Sequence, residues 1–581
     1  MPRGDVSKNW PSTRQSKYLL TTVGQITVRS NHELCHTIRG QELEMTTTQS
    51  TRKAARGSEK AGAPPQSPAD TTTHDEATHV EALILGAGVC GVSALAGLVR
   101  SGIDNVVLIE RSDAVGGTWH HNSYPGCAVD IPTHVYSFSW APNPEWSRVF
   151  APQKEIKDYL EKVVNDRALM PKIRLNTEVL EAAWDEDAQR WLVQTTDGQY
   201  SAKVFISAPG PLHEPLVPDI PGMESFTGQA FHSALWPAGI DLTGKKVVVL
   251  GTGPSALQFI PAIQPQVDHM TVIQRTPSWV MPKMDWKVTR LEKALMRRFP
   301  FLMRVTRLSM WAFMDAFFVL ATMHPAFAKA MALFGRLHLR RYIKDRVTRK
   351  ALTPSYAPTC KRLGLSNDFY RALAAPNVSL TTSLASAVHE RSIVTADGTE
   401  IDADVIIFGT GFRTIQQHPI NKLVKGRGGN SLDDIWQGNP TAYFGTTVAG
   451  FPNAFIMFGP NVGTLSGFVM AEAQTDYIVG AVHAMRREGF SSIDVRPEAQ
   501  QAFVDECDEI FKTSTFVRGG CDSYYLDQKS GSRVTLVWPG SMAKLRKTVS
   551  VFDINPYSTQ LATADSRPTT AVRLAPAVAA R

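Results

Sequence analysis

The chain has 581 residues, 43% hydrophobic and 20% charged, and a formal net charge of +7. That length holds two or three domains, the composition is ordinary for a globular protein, and no nucleic-acid-binding motif accompanies the positive charge, which the handling of anionic cofactors would explain. None of the six cysteines (Cys35, Cys90, Cys127, Cys360, Cys507 and Cys521) falls in a Cys-x-x-Cys pair, so neither a zinc site nor a disulfide framework is expected and a cytoplasmic setting is the simplest reading.

Residues 1–76 are rich in Thr, Ser, Ala and Pro without apolar periodicity and read as a disordered extension with no secretory segment. Order begins at "HVEALILGAGVCGVSALAGLVRSGIDNVVLIE", which reads strand, tight glycine turn, helix, strand. In this turn Gly86 allows the bend, Gly88 lets a pyrophosphate approach the backbone, and Gly91 lets the helix pack close. Glu110 ends the next strand and suits a ribose with free hydroxyls.

A second such unit opens at "KKVVVLGTGPSALQFIPAI". Its cradle is Gly251, Thr252, Gly253, Pro254, Ser255 and Ala256, with Gln258 in the helix that follows. Its second strand ends in Arg275 and Thr276 rather than an acid, which favours a 2′-phosphate and therefore NADPH over NADH. Between Arg297 and Lys350 lies a basic, apolar stretch; Leu308 to Met323 is too short for a spanning helix of ~20 apolar residues and contains Asp315. A buried helical subdomain is the favoured reading, and an amphipathic membrane-contacting surface rimmed by Arg297, Arg298, Arg304, Arg307, Arg336, Arg340 and Arg341 is the runner-up. Strand-like text returns at "DADVIIFGTGF", and the tail from 557 reads as disordered.

Two nucleotide units in one chain suggest a flavin enzyme fed by a pyridine nucleotide. A disulfide reductase would need a redox-active cysteine pair beside the flavin, and Cys90 and Cys127 are isolated in sequence. Two long signatures then narrow the choice. "FTGQAFHSALWP" places Phe226, Gly228, His232, Trp236 and Pro237 in the pattern F-x-G-x-x-x-H-x-x-x-W-P, and "GTWHHNSYPGCAVD" supplies Gly117, Thr118, Trp119, Tyr124, Pro125, Gly126 and Asp130. On these motifs residues 79–550 resemble the Baeyer–Villiger monooxygenases.

The resemblance implies an α/β fold with two Rossmann-like domains. An FAD domain (77–225 and 385–556) would be interrupted by an NADP domain (226–384) carrying a helical insertion at about 291–350. It implies FAD and NADPH as cofactors, no metal, and small-molecule partners, a ketone and O2. The product would be an ester or lactone, formed through a C4a-peroxyflavin. Peripheral membrane contact is not favoured, and the oligomeric state is left open. "QRTPSW" resembles the NADP-specifying turn, with Arg275, Thr276 and Lys361 at the 2′-phosphate. "CKRLGLSNDFY" resembles the segment that carries the active-site arginine, here Arg362, with Asp130 to orient it. Tyr136 and Val179 fall where FAD is contacted. Ala128 stands where many members have Arg, and Pro209 and Gly409 are further departures. His232 reads as a linkage residue between the two halves rather than an acid or base. Tyr524, Tyr525 and Trp538 are left between pocket lining and core. An N- or S-oxygenase and a non-oxygenating flavin-binding redox protein remain the alternatives.

Overall fold

The strand-forming run Thr78–Leu85 (β1) lies at the middle of an eight-stranded sheet in the computed structural model, which describes residues 77–212, 214–527 and 529–562. The expected extension at 1–76 and residues 563–581 lie outside them. β1 is flanked in parallel by β2 (Val106–Ile109) and β6 (Gly198–Ser207). β3 (Ile173–Arg174) closes one edge beside β2. β4 (Val179–Asp185) and β5 (Arg190–Thr195) form an antiparallel meander with β6, and Val424–Lys425 and Ala454–Ile456 join from late in the chain. The strand period of two sends Ala82 and Ile84 to the face that packs Leu95 and Leu98 of the helix Val89–Arg100. Leu83 goes to the face that packs Trp191 and Phe205.

That helix sits very close to the sheet. A Cβ on Gly91 would stand 1.8 Å from the Gly86 carbonyl oxygen, an impossible contact, so only glycine fits the third place of the turn. On its outer side the helix crosses Gly467–Glu488, with Ser93 Oγ 2.8 Å from Thr475 Oγ1.

The second sheet is wholly parallel, in the order Val378–Thr381, β9 (His269–Ile273), β8 (Lys246–Leu250), Val405–Phe408 and β7 (Gln229–His232). Here the pairing corrects the expected boundary at 384/385. Val405–Phe408 pairs with β8 and β7, and the three-stranded meander Ala385–Asp402 packs on the same core through Val388 and Ile393. An apolar run such as VIIF suits either sheet, so its pattern carried no information about its partners.

Two further expectations are corrected. Tyr557–Leu561 is not tail but a strand antiparallel to Phe490–Val495, and the Tyr557 hydroxyl lies 2.6 Å from that of Tyr477. Its alternation is weak because it pairs at an edge, where most of its side chains stay exposed. The basic apolar stretch forms three consecutive helices: Arg290–Arg298, which has no buried residue, and Phe301–Met323 and Pro325–Tyr342, which are buried on one side only. Arg307 anchors them by donating to the carbonyls of His134 and Ser137, both at 2.8 Å, so it does not rim a free surface. Asp315 is buried because its carboxylate accepts from the N–H groups of Met542 and Ala543, capping the helix Met542–Val549.

Candidate active site

Both glycine turns leave bare backbone at a helix N-terminus. In the first, Gly88 and Gly117 meet almost back to back, and a Cβ on Gly117 would stand 2.9 Å from the Gly88 Cα. Buried Glu110 accepts from the N–H of Ala87 at 2.7 Å and of Ser112 at 2.9 Å, which fixes its carboxylate beside the turn with lone pairs left for a ribose. The Thr177 N–H donates to the Glu110 carbonyl, which brings the start of β4, at Val179, alongside. Thr118 and Trp119 open the short helix after Gly117. Trp119 is buried edge-on to Tyr136, ring centroids 5.5 Å apart, and among the described residues its Nε1 has no hydrogen-bond partner. A cradle that Cβ atoms would fill, an oriented acid and an orphaned indole N–H fit a dinucleotide with a polar ring system.

The second turn repeats the construction. Gly251 has φ +106°, and a Cβ there would stand 2.4 Å from the Gly409 carbonyl oxygen. Thr252 is tied to the strand end by the Ser278 hydroxyl, which donates to its carbonyl at 2.9 Å. Gly253, Pro254 and Ser255 then lead into the helix Ala256–Ile263, with Ser255 at its N-cap. The Gln258 amide bridges the two halves: it donates to the Ala128 carbonyl at 2.9 Å and accepts from the Tyr124 hydroxyl at 3.1 Å. Thr276 follows exposed Arg275 at the end of β9. Lys361 faces Arg275: burial lowers the Lys361 pKa first, the like charge of Arg275 lowers it further, and Asp522 opposes. Two cations held against their own repulsion fit a dianion such as a 2′-phosphate.

Between the turns lies the strongest polar contact of the site. Arg362 Nε donates to Asp130 Oδ2 and Nη2 to Oδ1, both at 2.7 Å, a bidentate fork. The pair joins the loop that follows Gly117 to the strand pair Val280–Met281 and Gly364–Leu365. Burial pushes the Asp130 carboxyl up, but the charge and hydrogen bonds of Arg362, then the charge of Lys283, pull it below the usual carboxylate range. The charge of Asp130 drives Arg362 well above its already high range. About 30% of each side chain in the pair still faces open space (31% for Arg362, 29% for Asp130).

Three features escaped sequence reasoning. Lys283, four residues beyond Trp279 of "QRTPSW", is the second cation acting on Asp130. Tyr524, Tyr525 and Trp538 divide: the two tyrosines lie near Arg362, whereas Trp538 is buried and stacked on Phe503. Contrary to expectation, Cys360 and Cys521, 161 residues apart, form a disulfide that ties the Lys361–Arg362 segment to the Tyr524–Tyr525 segment. Spacing patterns detect only pairs close in sequence. This bond also removes the support that a missing disulfide framework lent to a cytoplasmic setting.

His232 is not at this pair. It ends β7 opposite Phe408, is buried, and packs edge-on against Phe412 at 5.3 Å. Its Nδ1 accepts from the Ala234 N–H at 3.1 Å, which places the ring proton on Nε2. Burial lowers its pKa, and the Gly411 carbonyl partly opposes this. Phe412 belongs to one of two connections that run side by side between the sheets: the Leu216 N–H donates to Gly411 and the Arg413 N–H to Glu214, both at 2.9 Å.

The family model for flavin-binding monooxygenase-like proteins matches residues 80–425. A Baeyer–Villiger monooxygenase of Streptomyces coelicolor is 42% identical over 482 residues, 82% of this chain and 92% of that relative. The chain belongs to this family. It is an FAD- and NADPH-dependent monooxygenase of the Baeyer–Villiger type. Among solved structures, cyclohexanone monooxygenase from Rhodococcus sp. Phi1 bound to NADP+ is similar at 29% identity and TM-score 0.75, over 84% of this chain and 100% of that one. OTEMO in complex with FAD and NADP is similar at 26% identity and TM-score 0.74, over 83% and 99%.

If Arg275 and Lys361 share a 2′-phosphate, Arg275→Ala should raise KM for NADPH by about tenfold to a hundredfold, the worth of one charged hydrogen bond, and leave KM for NADH nearly unchanged. Steady-state kinetics with both nucleotides checks this; an equal effect on the two would refute the assignment.

Proposed function

We propose that Arg362 is the catalytic cation of an oxygen insertion beside a ketone carbonyl and that Asp130 positions it. The overall balance is ketone, O2, NADPH and a proton going to ester or lactone, water and NADP+. Bound FAD would supply the passage of two electrons from NADPH to O2. What carries the reading is the bidentate 2.7 Å fork, which fixes a guanidinium in a deeply seated site while leaving part of it facing open space. A guanidinium there stays charged at every working pH and offsets the cost of placing negative oxygen away from water. It also stabilises the oxyanion that develops when a carbonyl is attacked. An oxygenase that relies on a protonated, electrophilic oxygen donor would gain nothing from such a cation. The first cradle, with Gly86, Gly88, Gly91, Glu110, Gly117, Thr118, Trp119, Tyr136 and Val179, is assigned to FAD. The second, from Gly251 to Ala256 with Arg275, Thr276 and Lys361, is assigned to NADPH.

The pKa directions fix the pH dependence. Asp130 is depressed below its ordinary value of 3.8, so its contribution to stability is present above that value and is lost only as pH falls through the lower folded one. The pair should therefore add no ionisation to the rate profile between about pH 5 and 9. Arg362→Ala should keep its yellow FAD yet lose product formation by about a hundredfold to a thousandfold, the usual cost of an oxyanion-stabilising donor. Ester formation at the normal rate by that variant would refute the role.

His232 is proposed as a coupling residue. It is buried and held neutral, so it is a poor acid or base at neutral pH. Its ring supports the two connections about which the nucleotide half would move against the flavin half. His232→Ala should consume NADPH and O2 while forming less ester and more hydrogen peroxide. An unchanged ratio of product to NADPH would count against it.

A further inference from the structure

The three helices between Arg290 and Tyr342 leave an apolar face uncovered. On Phe301–Met323 the exposed positions Phe301, Val305 and Leu308 follow one another at helical spacing, Phe313 widens the exposed set further along the helix, and Leu308 and Phe313 are 59% and 61% exposed. Phe334 and Leu337 of Pro325–Tyr342 continue the exposed apolar set at 56% and 52%. Single exposed leucines are ordinary on a soluble surface; a run repeated on consecutive helices is not. The opposite side of Phe301–Met323 is packed, through Met303, Met314, Ala321 and the buried Asp315. By length and composition this 23-residue helix could cross a membrane, but its packed side, held by the rest of the chain, suits it to lie on an apolar phase instead.

Charge identifies what covers the face. From Arg290 to Arg341 the sequence carries ten Lys and Arg against two acids, Glu292 and Asp315. Both acids are committed to capping, Glu292 to Thr289 and Asp315 to Met542. Arg298, Arg304, Arg340 and Arg341 are exposed, and among the described residues none of them has a carboxylate in contact. Pairing this face with its equivalent on a second copy would bring cations against cations, which disfavours a symmetric dimer. An anionic lipid surface satisfies both features: apolar side chains enter the acyl boundary and arginines meet headgroup phosphates.

We propose that residues 290–342 form a docking surface for an anionic phospholipid membrane, on which the chain lies without spanning it. The surface is directly connected to the reacting centre. Ala321 and Met331 share a buried cluster with Cys360, and the Thr359 hydroxyl donates to the Ala321 carbonyl at 3.0 Å. The membrane-facing helices therefore rest on the segment that ends in Arg362.

The test is co-sedimentation of the full-length holoenzyme with vesicles of phosphatidylcholine alone and of phosphatidylcholine mixed with phosphatidylglycerol. Binding to the mixed vesicles is expected to be at least about tenfold tighter and to weaken with salt, with on the order of fivefold lost for each of Arg304→Gln and Arg340→Gln. The double variant Leu308→Ser, Phe313→Ser should lose vesicle binding while keeping its FAD and its turnover of a water-soluble ketone. The proposal is overturned by any of three results: no binding to the mixed vesicles, equal binding to both kinds, or full binding by the Leu308/Phe313 variant, which would place the contact elsewhere in the chain. Sedimentation velocity without lipid supplies the remaining arm: a dimer of the native chain that the apolar variant dissolves would make a second copy the occupant instead.

Discussion

The fork between Arg362 and Asp130 is the contact on which the proposed chemistry depends. It closes a separation of 232 residues and joins a loop of the first sheet's domain to the segment beyond the helical insertion. A guanidinium in a deeply seated site is costly unless its charge is matched, and a matched guanidinium is useful only if part of it still faces the reacting atoms. Two well-aligned bonds on one side and open space on the other meet both demands. Lys283 strengthens the arrangement, since a second cation near Asp130 keeps the carboxylate ionised against its burial.

Around that pair the rest of the fold holds two glycine-turn cradles, assigned to the two nucleotide cofactors. Each cradle is a glycine turn pressed against the end of a neighbouring strand, the first on Ala208 and the second on Gly409. Those two strand ends lead into the paired connections near Leu216 and Gly411, where His232 packs against Phe412. The cradles and the paired connections between the sheets are thus built from the same stretches of backbone. Gln258 is part of this coupling: its amide, on the helix of the second cradle, holds the Tyr124–Ala128 loop of the first.

Local signals in the sequence were enough for what depends on local geometry. Gly86, Gly91 and Gly251 announce themselves because a turn under a helix N-terminus admits no other residue, and Glu110 and Arg275 because they end the strands that follow. Asp130 and Arg362 could be named only through family motifs, since no spacing rule connects residues so far apart. The Cys360–Cys521 bond, the action of Lys283 on Asp130 and the sheet partner of Val405–Phe408 depend on long-range packing and left no local trace. The helical stretch shows a different limit: its hydropathy was plain, but whether Leu308 and Phe313 face core or solvent is decided by which side Arg307 and Asp315 pin down.

If Asp130 acts only by holding Arg362, the two residues should behave as one unit in a double-mutant cycle. The most direct measurement is kcat/KM for ester formation in Arg362→Ala, Asp130→Ala and the double variant, each compared at equal FAD content. The double variant should be scarcely worse than Arg362→Ala alone. Losses that multiply would mean that the carboxylate and the guanidinium act separately, and the account of a positioned cation would fail.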